Sequence, residues 1–186
     1  ASVTDMLKKM SERELVHYQP YRGVSLTDTG RHHALQVIRK QRLWETFLVE
    51  KLGFTWDEVH ETAEQLEHIQ SPLLVDKLDA FLNWPRFDPH GDPIPDATGK
   101  IHKRDTLRLS EVAEGTTVRI AAVLLHTPDF LRYLDRLHFN IGTELDVLEH
   151  IPFDESRLLK TGGKELIVGC NVAENLLVMP LSEDTS

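Results

Sequence analysis

The sequence predicts a mainly α chain that passes into a small β-barrel, and three observations carry that prediction. Up to residue 82 the apolar residues recur at helical spacing between helix-capping residues. The stretch WPRFDPHGDPIPDATG (84–99) then holds four of the nine prolines, which marks a boundary. Beyond it the apolar residues fall in short β-type runs separated by turn residues. With 186 residues, 40% apolar and 27% charged, the chain reads as a soluble globular protein of one large or two to three small domains. No apolar run approaches the roughly 20 residues of a membrane-spanning helix. The single cysteine, Cys170, excludes an internal disulfide and a multi-cysteine zinc cage, and it fits a reducing cytoplasm. ASVTDMLKKM carries no signal-peptide pattern. Its abrupt start suggests part of something longer.

In chain order, Val3, Met6, Leu7, Met10 and Leu15 line one stripe of an amphipathic helix over 3–15 that shows no cap. LVHYQPYRGVSLTD alternates apolar positions around a Pro and Gly turn, which predicts a β-hairpin with Arg22 at its tip. A helix followed directly by such a hairpin resembles the second half of a winged helix, whose helix enters the major groove while the wing meets the backbone. Thr27, Asp28 and Thr29 offer caps for a long helix over 30–52, closed by Gly53. Thr55 and Glu58 are spaced as a capping box for a helix running to residue 69. Ser71-Pro72 supplies an N-cap and first-turn proline for another, to residue 82. TVRIAAVLL, TELDVLEHI, KELIVGC and NLLVMPL are the strands of the barrel, with one helical insert over 128–138.

Charge is unevenly placed. Residues 1–44 carry eight basic and four acidic side chains, whereas the whole chain stands at −9. A basic end on an acidic body suggests a surface for a polyanion, although basic residues on a solvated helix face give the same count.

VHETAEQLEHI (59–69) holds the chemistry. At 100° per residue His60, Glu64, Glu67 and His68 share one arc, opposite Val59, Ala63, Leu66 and Ile69. Two imidazoles and two carboxylates without a thiolate suit a hard first-row cation, Mn²⁺ or Fe²⁺, above copper or structural zinc. The same pattern also describes the wet face of an ordinary amphipathic helix. The H-E-x-x-H metalloprotease motif fails, because Glu64 stands where the second histidine belongs. His32-His33, His90 and His102 read as surface or linker histidines, and Cys170 as a barrel residue without a matched base.

TDTGR (27–31), IRKQRLWE (38–45), VHETAEQLEHI (59–69) and DPHGDPIP (88–95) together resemble the diphtheria-toxin-repressor, or iron-dependent repressor, family of metal-dependent transcriptional regulators, in particular its manganese-sensing branch. The resemblance runs over the whole chain, and the last part is similar to the SH3-like FeoA domain. It implies a partial winged helix-turn-helix over 1–28, a helical dimerisation and metal-binding domain over 29–95, a linker over 96–105 and the barrel over 106–182. It also implies that Glu64, Glu67 and His68 are primary-site ligands. Iron sensors carry cysteine where Glu64 stands, and the hard carboxylate favours Mn²⁺. Two further primary ligands come, in the family, from a first winged-domain helix that this sequence does not contain.

An ancillary site is implied at Glu45 and His60, with Gln41 in place of the family's histidine and able to offer only its amide oxygen. His126 and Asp129 have the spacing of the pair that completes this site from the barrel. Alternatively, His126 is a loop histidine. Ala1, Ser2, Thr4 and Asp5 fall where the recognition helix presents groups to DNA, and Lys8, Lys9 and Arg22 supply phosphate contacts. The partners implied are operator double-stranded DNA, a second copy of the chain and a divalent metal ion, with no membrane. The dimer surface is expected on 59–82, through Leu73, Leu74, Leu78, Phe81 and Leu82. The implied activity is repression of metal-transport genes without catalysis; a metal-dependent hydrolase or a metal-buffering interaction module are the alternatives.

Overall fold

The structure, a computed structural model, describes residues 2–19 and 21–181. Helix α1 (Val3–Glu12) leads into strands β1 (Val16–Gln19) and β2 (Gly23–Leu26), paired antiparallel with Val16 opposite Leu26. The helix has the cap that its sequence was not expected to show. Ser2 accepts from the Asp5 amide, and the Asp5 carboxylate accepts from the Ser2 amide, closing a reciprocal box. No residue of α1 is buried.

The hairpin is seated on the next helix, α2 (Asp28–Leu52), through Thr27. Its hydroxyl donates to the Glu14 carbonyl at 2.6 Å and accepts from the Gly30 amide at 2.9 Å. A Cβ at Gly30 would meet the Leu15 carbonyl oxygen at 1.8 Å, so only glycine admits this approach. Gly53 closes the helix with φ 74°.

Helices α3 (Val59–Glu67) and α4 (Pro72–Phe81) pack on α2. One core gathers Leu43, Val75, Leu78, Leu82 and Ile94; another gathers Leu48, Val59 and Ala63. Ser71 caps α4 as expected, accepting from the Leu74 amide. The capping box expected of Thr55 and Glu58 does not form: α3 starts at Val59, and Glu58 makes no side-chain cap bond. Residues 56–58 form a turn instead, and Trp56 reaches the barrel from it, donating its indole N–H to Asp135 at 3.0 Å. Leu78 and Leu82 are corrected from the expected dimer surface to the interior, because α4 turns that side toward Leu43. Leu73, Leu74 and Phe81 remain exposed.

Three of the basic residues counted in the first 44 are engaged within the fold, one of them buried and two half-buried. Arg39 is buried and pairs with Asp79 at 2.6 Å, Lys40 donates to the Glu67 carbonyl at 2.6 Å, and Arg42 pairs with Asp92 at 2.9 Å. These side chains join α2 to α4, α3 and the proline-rich turn. Lys8, Lys9, Arg13, Arg22 and Arg31 stay exposed.

The remainder is one six-stranded antiparallel sheet of order β3-β8-β4-β5-β6-β7. Its strands are β3 (Leu107–Arg108), β4 (Thr117–Val123), β5 (Glu144–Ile151), β6 (Ser156–Thr161), β7 (Lys164–Val168) and β8 (Leu176–Pro180). Helix α5 (Pro128–Arg136) follows β4, and short α6 (Cys170–Glu174) follows β7. Leu109, Leu134, Phe139, Leu145, Leu159 and Leu176 are at the centre of the core they enclose. Strand β6 was not foreseen from SRLLKT; Gly162 and Gly163, both at positive φ, turn it into a hairpin with β7.

The barrel docks on the helices through the DPHG turn. The Val123 amide donates to the His90 carbonyl at 3.0 Å, and Arg104 lies 3.3 Å over the Phe87 ring while donating to the Ala121 carbonyl. Gly91 (φ +86°) lies against Ala121 and Ala122, and a Cβ there would come within 2.1 Å of the Ala121 oxygen. Gly115 (φ +77°) has nothing within 4 Å of such a Cβ. Replacing Gly115 by Ala is therefore expected to cost about 1 kcal/mol of backbone strain, while Gly91→Ala adds overpacking and costs about 3 kcal/mol or more. Guanidinium unfolding of both variants checks this; equal losses would show that the junction gives way without cost.

Candidate metal centre

The side chains expected as primary ligands lie on an open face of α3. On α3 and its C-cap, Glu64 and His68 are exposed and Glu67 is half-buried, while Val59 and Ala63 point to the core. Three side chains from one helix splay outward, so they need a further element to converge. They do not gather their donor atoms within 4.8 Å, as one other set among the described residues does.

The α2 side of α3 is tighter. Glu45, buried on α2, directs Oε1 to His60 Nδ1 at 3.1 Å, and Gln41 Nε2 lies 3.2 Å from the same nitrogen. That nitrogen either donates to the carboxylate or accepts from the amide; it cannot do both. The structure thus brings Gln41, Glu45 and His60 together. His126 and Asp129 do not join them. Asp129 is 96% exposed and is held by Arg132 at 2.7 Å, its own neighbour on α5. His126 stacks on His90 with ring centroids 4.7 Å apart, its Nε2 3.9 Å from Asp92.

The set that does converge is Glu45, Asp88 and His90, all buried. Reading the proline-rich stretch as a linker hid the last two. The signal lies in D-P-H-G-D: Asp88 Oδ1 accepts from the amides of His90 at 2.9 Å and Asp92 at 3.0 Å, an Asx turn that folds His90 inward. Burial first, then repulsion from Asp92 and Glu45, pushes the Asp88 carboxyl up to about 8, against the opposing Arg42 guanidinium. Burial also lowers the His90 imidazole below its usual range.

Of the residues expected to face DNA, Ala1 lies outside the described residues. Ser2 and Asp5 are exposed and engaged with each other in the α1 cap, Ser2 Oγ lying 2.9 Å from Asp5 Oδ2. Thr4, Lys8, Lys9 and Arg22 are exposed, Arg22 at the hairpin tip where its amide donates to the Gln19 carbonyl.

The donor sets on both sides of α3 are carboxylates, imidazoles and one amide, and Cys170 is in α6 of the barrel. Such hard sets fit Mn²⁺ or Fe²⁺. In the metal-free protein Asp88 has a second consequence. Its folded pKa of about 8 lies above the ordinary 3.8, so the stability it contributes is full below about pH 4 and is lost as pH rises through 8. Asp88→Asn retains an acceptor for the two amides and removes the ionisation. In chelator, the variant is expected to gain on the wild type as pH rises, by up to about 1.4 kcal/mol per pH unit. Urea unfolding between pH 4 and 8 measures the gap; a constant gap would mean that Asp88 folds ionised.

Three family models match in order along the chain. Residues 1–24 match the N-terminal DNA-binding domain of iron-dependent repressors, 27–96 their metal-binding and dimerisation domain, and 107–180 the FeoA domain. The iron-dependent repressor IdeR of Mycobacterium leprae is 33% identical over 147 residues, covering 73% of this chain and 63% of its own length. This chain therefore spans less than two thirds of that relative. A solved manganese-dependent transcriptional repressor in complex with manganese is 36% identical, with a TM-score of 0.84 over 96% of this chain and 83% of its own. Another manganese-dependent transcriptional repressor is 35% identical, with a TM-score of 0.86 over 96% and 93%. The order of the three domains and the overall fold are thus those of these repressors, and the chain belongs to the iron-dependent repressor family.

Proposed function

We propose that the protein is a metal-dependent DNA-binding transcriptional repressor that responds to Mn²⁺, or to Fe²⁺, and controls metal-transport genes. The observation that carries the reading is the open face of α3, where Glu64, Glu67 and His68 stand outward beside a buried Glu45 that already holds His60. Solved relatives named as manganese-dependent repressors support it.

The proposed mechanism is linkage. Glu64, Glu67 and His68 hold the sensed cation, and Gln41, Glu45 and His60 an ancillary one; when bound, each cation supplies the divalent charge that draws its ligands together. The ligand set is complete only in the conformation competent for DNA, so the affinity difference between conformations sets how far the equilibrium shifts. Lys8, Lys9 and Arg22 then meet phosphates, and Thr4 faces the groove, with the acidic body held away. Exposed Leu73, Leu74 and Phe81 on α4 supply apolar area for a second copy, which matches a palindromic operator.

Fluorescence anisotropy on the protein's own promoter DNA, titrated with Mn²⁺, Fe²⁺ under anaerobic conditions and Zn²⁺ at fixed ionic strength, tests the reading. Mn²⁺ is expected to tighten binding about tenfold or more and chelator to reverse it, a coupling of about 1.4 kcal/mol or more. Glu64→Ala is expected to abolish the response. Metal-independent binding, or a full response in Glu64→Ala, would remove the α3 face from the mechanism.

A further inference from the structure

The tip of the hairpin carries a large aromatic side chain that the packing of the fold does not use. Tyr21 is the third residue of the turn Gln19–Arg22 between β1 and β2, which the Arg22 amide closes by donating to the Gln19 carbonyl at 3.0 Å. Its φ of 64° is left-handed, a conformation that such a turn ordinarily gives to glycine or asparagine and that strains a residue with a large side chain. Burial does not offset that strain. Tyr21 is 108% exposed, so the ring leaves about 150 Å² or more in water. A strained residue that adds nothing to packing is the mark of a contact made outside the chain.

The mounting of the hairpin fixes where that ring is presented. At its base Val16 is buried, the Thr27 amide donates to the Leu15 carbonyl at 3.1 Å, and the Thr27 hydroxyl holds the Glu14 carbonyl. Four-residue strands rising about 3.3 Å per residue carry the tip about 13 Å beyond this base. From Val16 to Leu26 the hairpin has Arg22 and no carboxylate, and Arg22 is exposed beside Tyr21. A guanidinium next to an outward ring complements a surface on which phosphates alternate with apolar sugars, which is the backbone of a duplex. The adjoining α1, with exposed Lys8 and Lys9, belongs to the segment that matches a DNA-binding domain. We infer that Tyr21 is a DNA-contacting residue, its ring packed on a deoxyribose beside the major groove that α1 enters, next to the phosphate met by Arg22, once in each copy of the dimer. The inference rests on the repressor reading and adds to it a contact that is neither ionic nor base-specific.

Anisotropy on the promoter DNA at saturating Mn²⁺, repeated across a salt series, separates this contact from the ionic ones. Tyr21→Asn keeps a residue suited to the left-handed turn and removes the ring. It is expected to weaken binding about tenfold, with two wings on each operator, while the slope of log affinity against log salt stays that of the wild type. Arg22→Ala is expected to flatten that slope by about two, one phosphate per copy. Tyr21→Phe retains the ring and is expected to stay within about threefold of the wild type. The thermal midpoint of Tyr21→Asn is expected to equal or exceed that of the wild type, because the turn is relieved. Hydroxyl radicals cut at exposed deoxyriboses and give the location. Sugars flanking each half-site are expected to be protected by the wild type and by Tyr21→Phe, and to be released in Tyr21→Asn. Wild-type affinity or unchanged sugar protection in Tyr21→Asn overturns the contact and leaves the repressor reading standing. A loss accompanied by a flatter salt slope or a lowered midpoint assigns the effect to a displaced Arg22 or a disturbed hairpin, and also refutes it. A wild type that binds no promoter DNA with Mn²⁺ or Fe²⁺ removes the repressor reading and this inference together.

Discussion

The grip of Arg42 on the proline-rich turn is the contact on which both halves of the molecule depend. From the middle of α2 the guanidinium reaches Asp92 and the Pro93 carbonyl, and it stands beside the buried Asp88 carboxylate. The turn it holds is already closed on itself, the Asp88 amide donating to the Asp92 carbonyl and Phe87 bridging to Pro93. On one side the turn delivers Ile94 to the helical core; on the other it delivers His90 and Gly91 to the end of β4. Prolines that deny this stretch a regular ladder leave its conformation to side-chain and Asx hydrogen bonds. A charged grip replaces secondary structure as the organising element.

That substitution explains what was legible in the sequence. The helices of the first half were readable because Leu43, Leu48, Val59, Ala63 and Val75 repeat at helical spacing, and Thr27, Gly53 and Ser71 punctuate them. The outward set His60, Glu64, Glu67 and His68 was readable for the same reason, since periodicity separates a wet face from a dry one. Asp88 and His90 were not, because nothing periodic marks a residue buried by the meeting of two units. Proline-rich composition argues for a surface loop, and this loop is covered only because the barrel folds back on it. The cap at Ser2 and Asp5 was missed for another reason: S-x-x-D is a readable cap, but the resemblance drew these residues toward another task.

The same logic corrects the charge argument. A count over residues 1–44 treats all basic side chains alike, yet Arg39, Lys40 and Arg42 are spent on holding α2 to its neighbours. What remains exposed is concentrated on α1, the wing tip and the start of α2. The donor groups are likewise graded by depth. His60, Glu64 and His68 meet solvent and Glu45 lies buried beneath His60, so exchange with solvent is open at the imidazole and restricted at the carboxylate.

The loop carrying Trp56 also gives the junction an optical handle. Its indole stacks nearly parallel to the His90 ring, with a 9° interplanar angle and centroids 6.1 Å apart, while its backbone carbonyl fixes the tautomer of that same ring. Among the three tryptophans of the chain, Trp56 thus lies beside a buried imidazole at the seam. A change in protonation of His90 is expected to alter the quenching of Trp56 emission, so the seam carries its own native fluorophore.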